Sequence, residues 1–196
     1  MTDQELAFQE IYLQQYKDSE PAVRDYILPH LTFQYIKKSG FYLSYGDIQT
    51  EMGYVSEGLL RRYYINDKGN QITTGFTKED EYITDYPAFI RQRPTRLYIQ
   101  ALEPTIIINL PYEIIQECYR RFKNSEMQGR LIAENVLTIL NNRVEGFLFN
   151  TAEERYLQFL ENHKDLMNRI SLTHLASFLG IERQSLSRIR KKLSEK

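Results

Sequence analysis

Four side chains near the C-terminus carry the chemistry that this chain most plainly offers: Arg183, Gln184, Ser187 and Arg188. At helical spacing they share one face, and none is apolar. Two guanidinium groups, an amide and a hydroxyl form hydrogen bonds rather than breaking covalent ones. Such a face is free to meet something other than its own core. Bond-making chemistry finds little support elsewhere. Cys118 is the only cysteine, so no intrachain disulfide and no cysteine cluster is expected. His30, His163 and His174 lie far apart, without the close spacing of a metal site. Glu79, Asp80 and Glu81 are consecutive and so point in different directions, which suits a solvated loop better than acid–base work. Neither an enzyme nor a metal site is expected, and no cofactor is implied.

The four side chains need a scaffold, and the stretch from Leu172 to Arg190 supplies one. It reads as two short helices joined by a tight turn. Leu175, Leu179, Ile181, Leu186 and Ile189 are the apolar positions that two crossed helices bury between them. Ala176 is small where the second helix passes over the first. Gly180 follows the first helix, where the turn needs a left-handed residue. This spacing predicts a helix-turn-helix of the DNA-binding kind, with the second helix as reader. An ordinary amphipathic hairpin closing a core is the alternative. Charge favours DNA: from residue 169 onward seven basic residues face only Glu182 and Glu195, a net charge of +5 in a chain whose total is −1.

The remainder is a globular sequence of a length that suits one large or two small domains. The N-terminus, Met1-Thr2-Asp3-Gln4-Glu5-Leu6, lacks a signal-peptide pattern, and no apolar run approaches membrane-spanning length, so a cytoplasmic protein without membrane contact is expected. Residues 5–16 are partly helical in spacing. Asp18-Ser19-Glu20-Pro21 offers a helix start for residues 22–28. Short β-branched and aromatic runs follow, predicting strands at 31–37, 41–45, 53–56, 58–66, 70–77, 95–102 and 105–110. Asn66-Asp67-Lys68-Gly69-Asn70 is a hairpin turn, and Asp85-Tyr86-Pro87-Ala88-Phe89 a short helix. The fold class expected is α+β: an antiparallel barrel or jelly roll, then helices.

Residues 111–122 read as a helix opened by Pro111. The longest helical pattern covers residues 125–149. Ala133, Leu137, Leu140, Val144 and Phe147 form a heptad seam, with Leu131 or Ile132, Val136 and Ile139 beside it. One line can face the strands and the other a second copy of the chain, which makes a homodimer the expected state. Thr151 then caps a further helix whose apolar side is Tyr156, Leu157, Phe159 and Leu160.

Barrel, long helix and helix-turn-helix in this order resemble the CRP/FNR family of bacterial transcription regulators. The pieces that carry the resemblance are Ser56-Glu57-Gly58-Leu59-Leu60-Arg61, Thr151-Ala152-Glu153-Glu154-Arg155-Tyr156-Leu157 and the stretch from Leu172 to Lys192. Ser187-Arg188-Ile189-Arg190-Lys191-Lys192-Leu193 is similar to family members from the Bacteroidetes group. The resemblance implies a cyclic-nucleotide-binding-like sensor domain over residues 1–124, a dimerisation helix over 125–149 and a (winged) helix-turn-helix domain over 150–196. It implies a sequence-specific regulator that binds promoter half-sites on double-stranded DNA and recruits or blocks RNA polymerase, while the barrel answers either to an unidentified small-molecule effector or to none. The family's base-contacting positions fall on Arg183, Gln184 and Arg188, flanked by Glu182 and Ser187. Arginine is suited to guanine and glutamine to adenine. Ser171, Thr173 and Lys191 fall where phosphate contacts are made. An effector pocket would involve Ile83, Thr84, Arg93 and Thr95. Cyclic-AMP-binding members carry Gly-Glu and Arg-Ser or Arg-Thr pairs there. This chain has Ile83-Thr84 and Pro94-Thr95, with Arg93 and Arg96 flanking. That departure argues against cyclic AMP. The expected wing is a stub, because residues 165–170 leave little room. The runner-up reading is a sensing barrel whose C-terminal module binds a protein.

Overall fold

The computed structural model describes residues 2–17 and 20–195. Helix α1 (Asp3–Gln14) starts earlier than its apolar spacing predicts, because Thr2 and Glu5 cap it reciprocally. The Thr2 hydroxyl accepts from the Glu5 amide, and the Glu5 carboxylate accepts from the Thr2 amide at 2.7 Å. Helix α2 (Pro21–Ile27) opens on Pro21, where a missing N–H costs nothing. Asp18 and Ser19, which were expected to help start it, lie outside the described residues.

Eight strands follow among the described residues: β1 (Thr32–Ile36), β2 (Phe41–Leu43), β3 (Glu51–Glu57), β4 (Leu60–Ile65), β5 (Gln71–Thr77), β6 (Tyr82–Ile83), β7 (Tyr98–Ala101) and β8 (Thr105–Pro111). They form two four-stranded sheets, ordered β1-β8-β3-β6 and β2-β7-β4-β5. This is a jelly roll of two sheets and not a closed barrel. In the first sheet Thr32 pairs with Asn109 and Ile36 with Thr105, while β3 slips register at a bulge between Val55 and Glu57. Strand β6 has only two residues, too few for periodicity to reveal. Helix α3 (Tyr86–Arg91) lies between β6 and β7.

Alternation along β3 and β8 divides the apolar residues between two cores. Val55 and Ile107 join Leu60, Ile83 and Ile99 in one core. Tyr54 and Ile108 join Tyr12, Val23 and Ile27 of the first two helices in the other. Helix α4 (Tyr112–Arg121) adds Cys118 to the second core, where its thiol is buried. The Tyr12 ring meets Tyr16, Tyr54 and Tyr82 edge to face, with centroids 5.2–6.5 Å apart.

Helix α5 (Lys123–Phe149) has 27 residues, which at 1.5 Å per residue is about 40 Å of rod. Helices α6 (Ala152–Asn162), α7 (Leu172–Leu179) and α8 (Arg183–Ser194) complete the chain. Two compact units result: Met1–Arg62 with Phe76–Ala133, and Tyr63–Gly75 with Glu134–Lys196. The tip of the β4–β5 hairpin and the second part of α5 thus belong with the C-terminal helices. No helix among the described residues is long and apolar enough to cross a membrane.

Candidate nucleic-acid interface

Helix α7 begins at Ser171, whose hydroxyl accepts from the His174 amide at 3.1 Å. It ends at Gly180 in the left-handed conformation, φ 69° and ψ 33°. The Ile181 amide reaches back to the Ala176 carbonyl at 3.0 Å and closes the turn. Leu175, Ala176, Leu179 and Leu186 are buried between α7 and its neighbours, and Ile181 and Ile189 are half-buried. Helix α6 carries the reciprocal Thr151–Glu154 cap, which holds the Glu154 carboxyl below the usual carboxylate range through its bonds to Thr151. Tyr156 and Phe159 are buried, but Leu157 is exposed. The apolar face of α6 is therefore narrower than its sequence suggests.

Helix α8 presents Arg183, Gln184, Ser187 and Arg188, all exposed. The Ser187 hydroxyl donates to the Arg183 carbonyl at 3.1 Å, and Arg188 Nη2 donates to Ser185 Oγ at 3.2 Å. Both bonds are local, so neither commits the polar face to the core. Glu182 is the N-cap and makes no side-chain cap bond. Thr173 is exposed in the first turn of α7. Lys191 is exposed in the last turns of α8, 3.8 Å from Glu195. Lys192 instead pairs with Glu153 of α6 at 2.6 Å. Between α6 and α7 lies a 3₁₀ turn (Lys164–Leu166) with no strand among the described residues.

Two arginines that spacing alone did not single out tie the α7–α8 pair to its support. Arg143 of α5 donates to the Phe178 carbonyl at 3.0 Å and to the Thr73 carbonyl at 3.2 Å, with its guanidinium 4.1 Å from the Phe178 ring centre. Arg155 of α6 donates to the Leu179 carbonyl at 3.1 Å and to the Asn150 carbonyl at 2.7 Å. Each thereby satisfies a carbonyl in the last turn of α7 that has no partner within the helix, Phe178 for Arg143 and Leu179 for Arg155. Both cations also lie over the Phe147 ring, at 5.1 and 5.0 Å. Ser177 adds a third tie. Its hydroxyl accepts from the Thr73 amide at 2.9 Å and donates to the Gln71 carbonyl at 3.0 Å. Phe147 thus meets its own chain's helix-turn-helix yet stays 43% exposed, and Leu137, Leu140 and Val144 on the same seam are 67, 48 and 55% exposed. Ala133 is half-buried.

Three of the four residues placed in the effector pocket, Ile83, Thr84 and Thr95, are engaged within the fold. Ile83 is fully buried in the aliphatic core. Thr84 donates to Gln49 Oε1 at 3.1 Å, and Thr95 donates to Asp85 Oδ2 at 2.5 Å. Arg93 and Arg96 are exposed. The jelly roll does hold a covered cation, Arg62, whose pKa burial pushes down while Glu81 and Asp85 oppose the shift.

No protein-family model and no curated protein matches the sequence. Solved structures do match its fold. FixK2 from Bradyrhizobium japonicum aligns over 84% of this chain and 85% of its own, with a TM-score of 0.75 and 14% identity. A protein from Eubacterium rectale described as a transcriptional regulator of the crp/fnr family aligns over 91% of this chain and 85% of its own (TM-score 0.72, 19% identity). A CooA mutant from Carboxydothermus hydrogenoformans aligns over 93% and 84% (TM-score 0.70, 19% identity). The chain has the fold of the CRP/FNR regulators.

Proposed function

We propose that this protein is a sequence-specific DNA-binding transcription regulator that works as a homodimer. The observation that carries the reading is the solvent-facing row Arg183, Gln184, Ser187 and Arg188 on a helix held by a left-handed glycine turn. Arginine and glutamine satisfy guanine and adenine edges with paired hydrogen bonds, and each such pair discriminates by about 1–3 kcal/mol. Ser171, Thr173 and Lys191 set the position of α8 by meeting phosphates. The dimer brings two α8 helices to half-sites about one helical turn apart, with the exposed row Leu137, Leu140 and Val144 as the shared seam. On promoters the bound dimer acts on RNA polymerase. The effector of this reading is not cyclic AMP. The positions that would hold its phosphate and ribose are Pro94-Thr95 and Ile83-Thr84, and both threonine hydroxyls are already bonded within the fold.

The test is selection of random double-stranded DNA by the purified protein at two salt concentrations. Enrichment of a two-fold symmetric motif that weakens steeply with salt is the expected outcome, because each phosphate contact releases counterions. Weak binding that ignores both sequence and salt would transfer the function of the C-terminal module to a protein partner.

A further inference from the structure

A cavity of about 220 Å³ opens between α1, α4 and the first turns of α5, and it shares no residue with the effector-pocket positions. Four tyrosines, Tyr12, Tyr16, Tyr82 and Tyr119, supply its aromatic walls, and Cys118 and Gly129 complete the inner side. None of its lining residues among those described is acidic, basic or histidine. Burial keeps the phenols and the thiol in their neutral forms, since it raises every one of their pKa values. A charged guest would lose its hydration here and gain no ionic partner.

The space is also too large to be an ordinary packing defect. An engineered cavity of about 150 Å³ with apolar walls takes up benzene. This one has room for a second ring. Edge-to-face contact is open to an aromatic guest, as it already is among Tyr12, Tyr16 and Tyr82 themselves. Ser125, in the first turn of α5, lines the same cavity, and its hydroxyl is covered from solvent without a hydrogen-bond partner. Orphaned groups of this kind are rare in folded proteins, and rotation about χ1 lets a serine turn to a polar atom of a guest.

We infer that this cavity is a binding site for a neutral, two-ring aromatic molecule carrying one hydrogen-bonding group. The inference is independent of what α8 reads. Its wall includes Gly129, where a Cβ would lie 2.6 Å from Tyr119 Cζ, so a side chain at 129 competes with both that ring and the guest.

Indole is a suitable probe, because the chain contains no tryptophan and its fluorescence is therefore unobscured. Cys118, the only cysteine, reports occupancy through its rate of reaction with a small disulfide reagent. At an indole concentration about ten times its Kd, that rate should fall about ten-fold. Indole-3-acetate and tryptamine, the anionic and cationic counterparts, should bind at least about ten-fold more weakly, since a charge must be desolvated. Gly129→Leu should abolish binding while keeping its helical circular dichroism. Should that variant unfold, Cys118 protection in the native chain decides. No indole binding, binding without Cys118 protection, or equal affinity for the charged analogues would each overturn the assignment.

Discussion

Arg188 and Gly180 place opposite demands on single residues of the same motif. Arg188 is exposed and touches only Ser185 within its own turn, so Arg188→Ala should leave folding and the oligomeric state unchanged. It should weaken specific DNA binding about 10- to 100-fold, the worth of one bidentate base contact. A variant that still selects the same sites with equal affinity would show that α8 does not read through this residue. Gly180 has no freedom of that kind. Its φ of 69° disfavours any residue with a Cβ, and the added carbon would sit 2.7 Å from Phe147 Cε1. Phe147 cannot easily yield, because Arg143 and Arg155 lie over its ring. Gly180→Ala should therefore cost about 2 kcal/mol, the strain of a left-handed alanine plus the displaced ring. Urea unfolding measures this, and an unchanged midpoint would refute it. The need for Gly180 was legible because it arises within five residues. The roles of Arg143 and Arg155 were not, because their acceptors are carbonyls that only the folded chain brings near. The same reason hid the bonding of Thr84 and Thr95 to Gln49 and Asp85.

At the level of elements, α5 is a rod with exposed leucines on one side. Leu137 and Leu140 are too open to the solvent for core residues of a single chain. If α5 carries the proposed dimer, Leu140→Glu should yield monomers with helix content retained, because a carboxylate buried against a second copy has no partner. Unchanged sedimentation would move the interface elsewhere. The period of α5 was legible across its whole length, as was the β4–β5 hairpin, where the Asn66 side chain accepts from the Lys68 and Asn70 amides at 3.0 and 2.9 Å. Strand β6 escaped notice because two residues carry no period. The true start of α1 escaped because its signal lies in the Thr2–Glu5 pair and not in apolar spacing. Sheet closure also cannot be read locally: strand runs announce an antiparallel fold, but their partners decide between barrel and jelly roll.

For the molecule as a whole, the tyrosine-rich core sets an alkaline limit. Burial lifts the phenols of Tyr12, Tyr16 and Tyr82 above their ordinary value near 10. Below about pH 9 neither the folded nor the unfolded chain ionises them, so the shifts do not affect stability. As pH rises through about 10, the unfolded chain releases these protons first, and folding stability falls. Cys118, pushed up to about 11 by burial and then by Glu117, acts in the same direction from a slightly lower pH. Folding stability measured with urea should hold steady from pH 7 to about 8, fall gently as Cys118 begins to titrate in the unfolded chain, and fall more steeply beyond about 9; a flat profile to pH 11 would mean that these side chains ionise within the fold as readily as outside it.

The position of Ser177 has a consequence for the solubility of the protein. Strand β5 stands last in its sheet. By accepting from the Thr73 amide and donating to the Gln71 carbonyl, Ser177 offers alternate residues of that strand what another strand's backbone would offer them. A helix side chain thus closes part of a sheet margin, one of the places where foreign chains add on and aggregation begins. Any condition that loosens α7 from the hairpin uncovers that margin and opens it to a foreign strand.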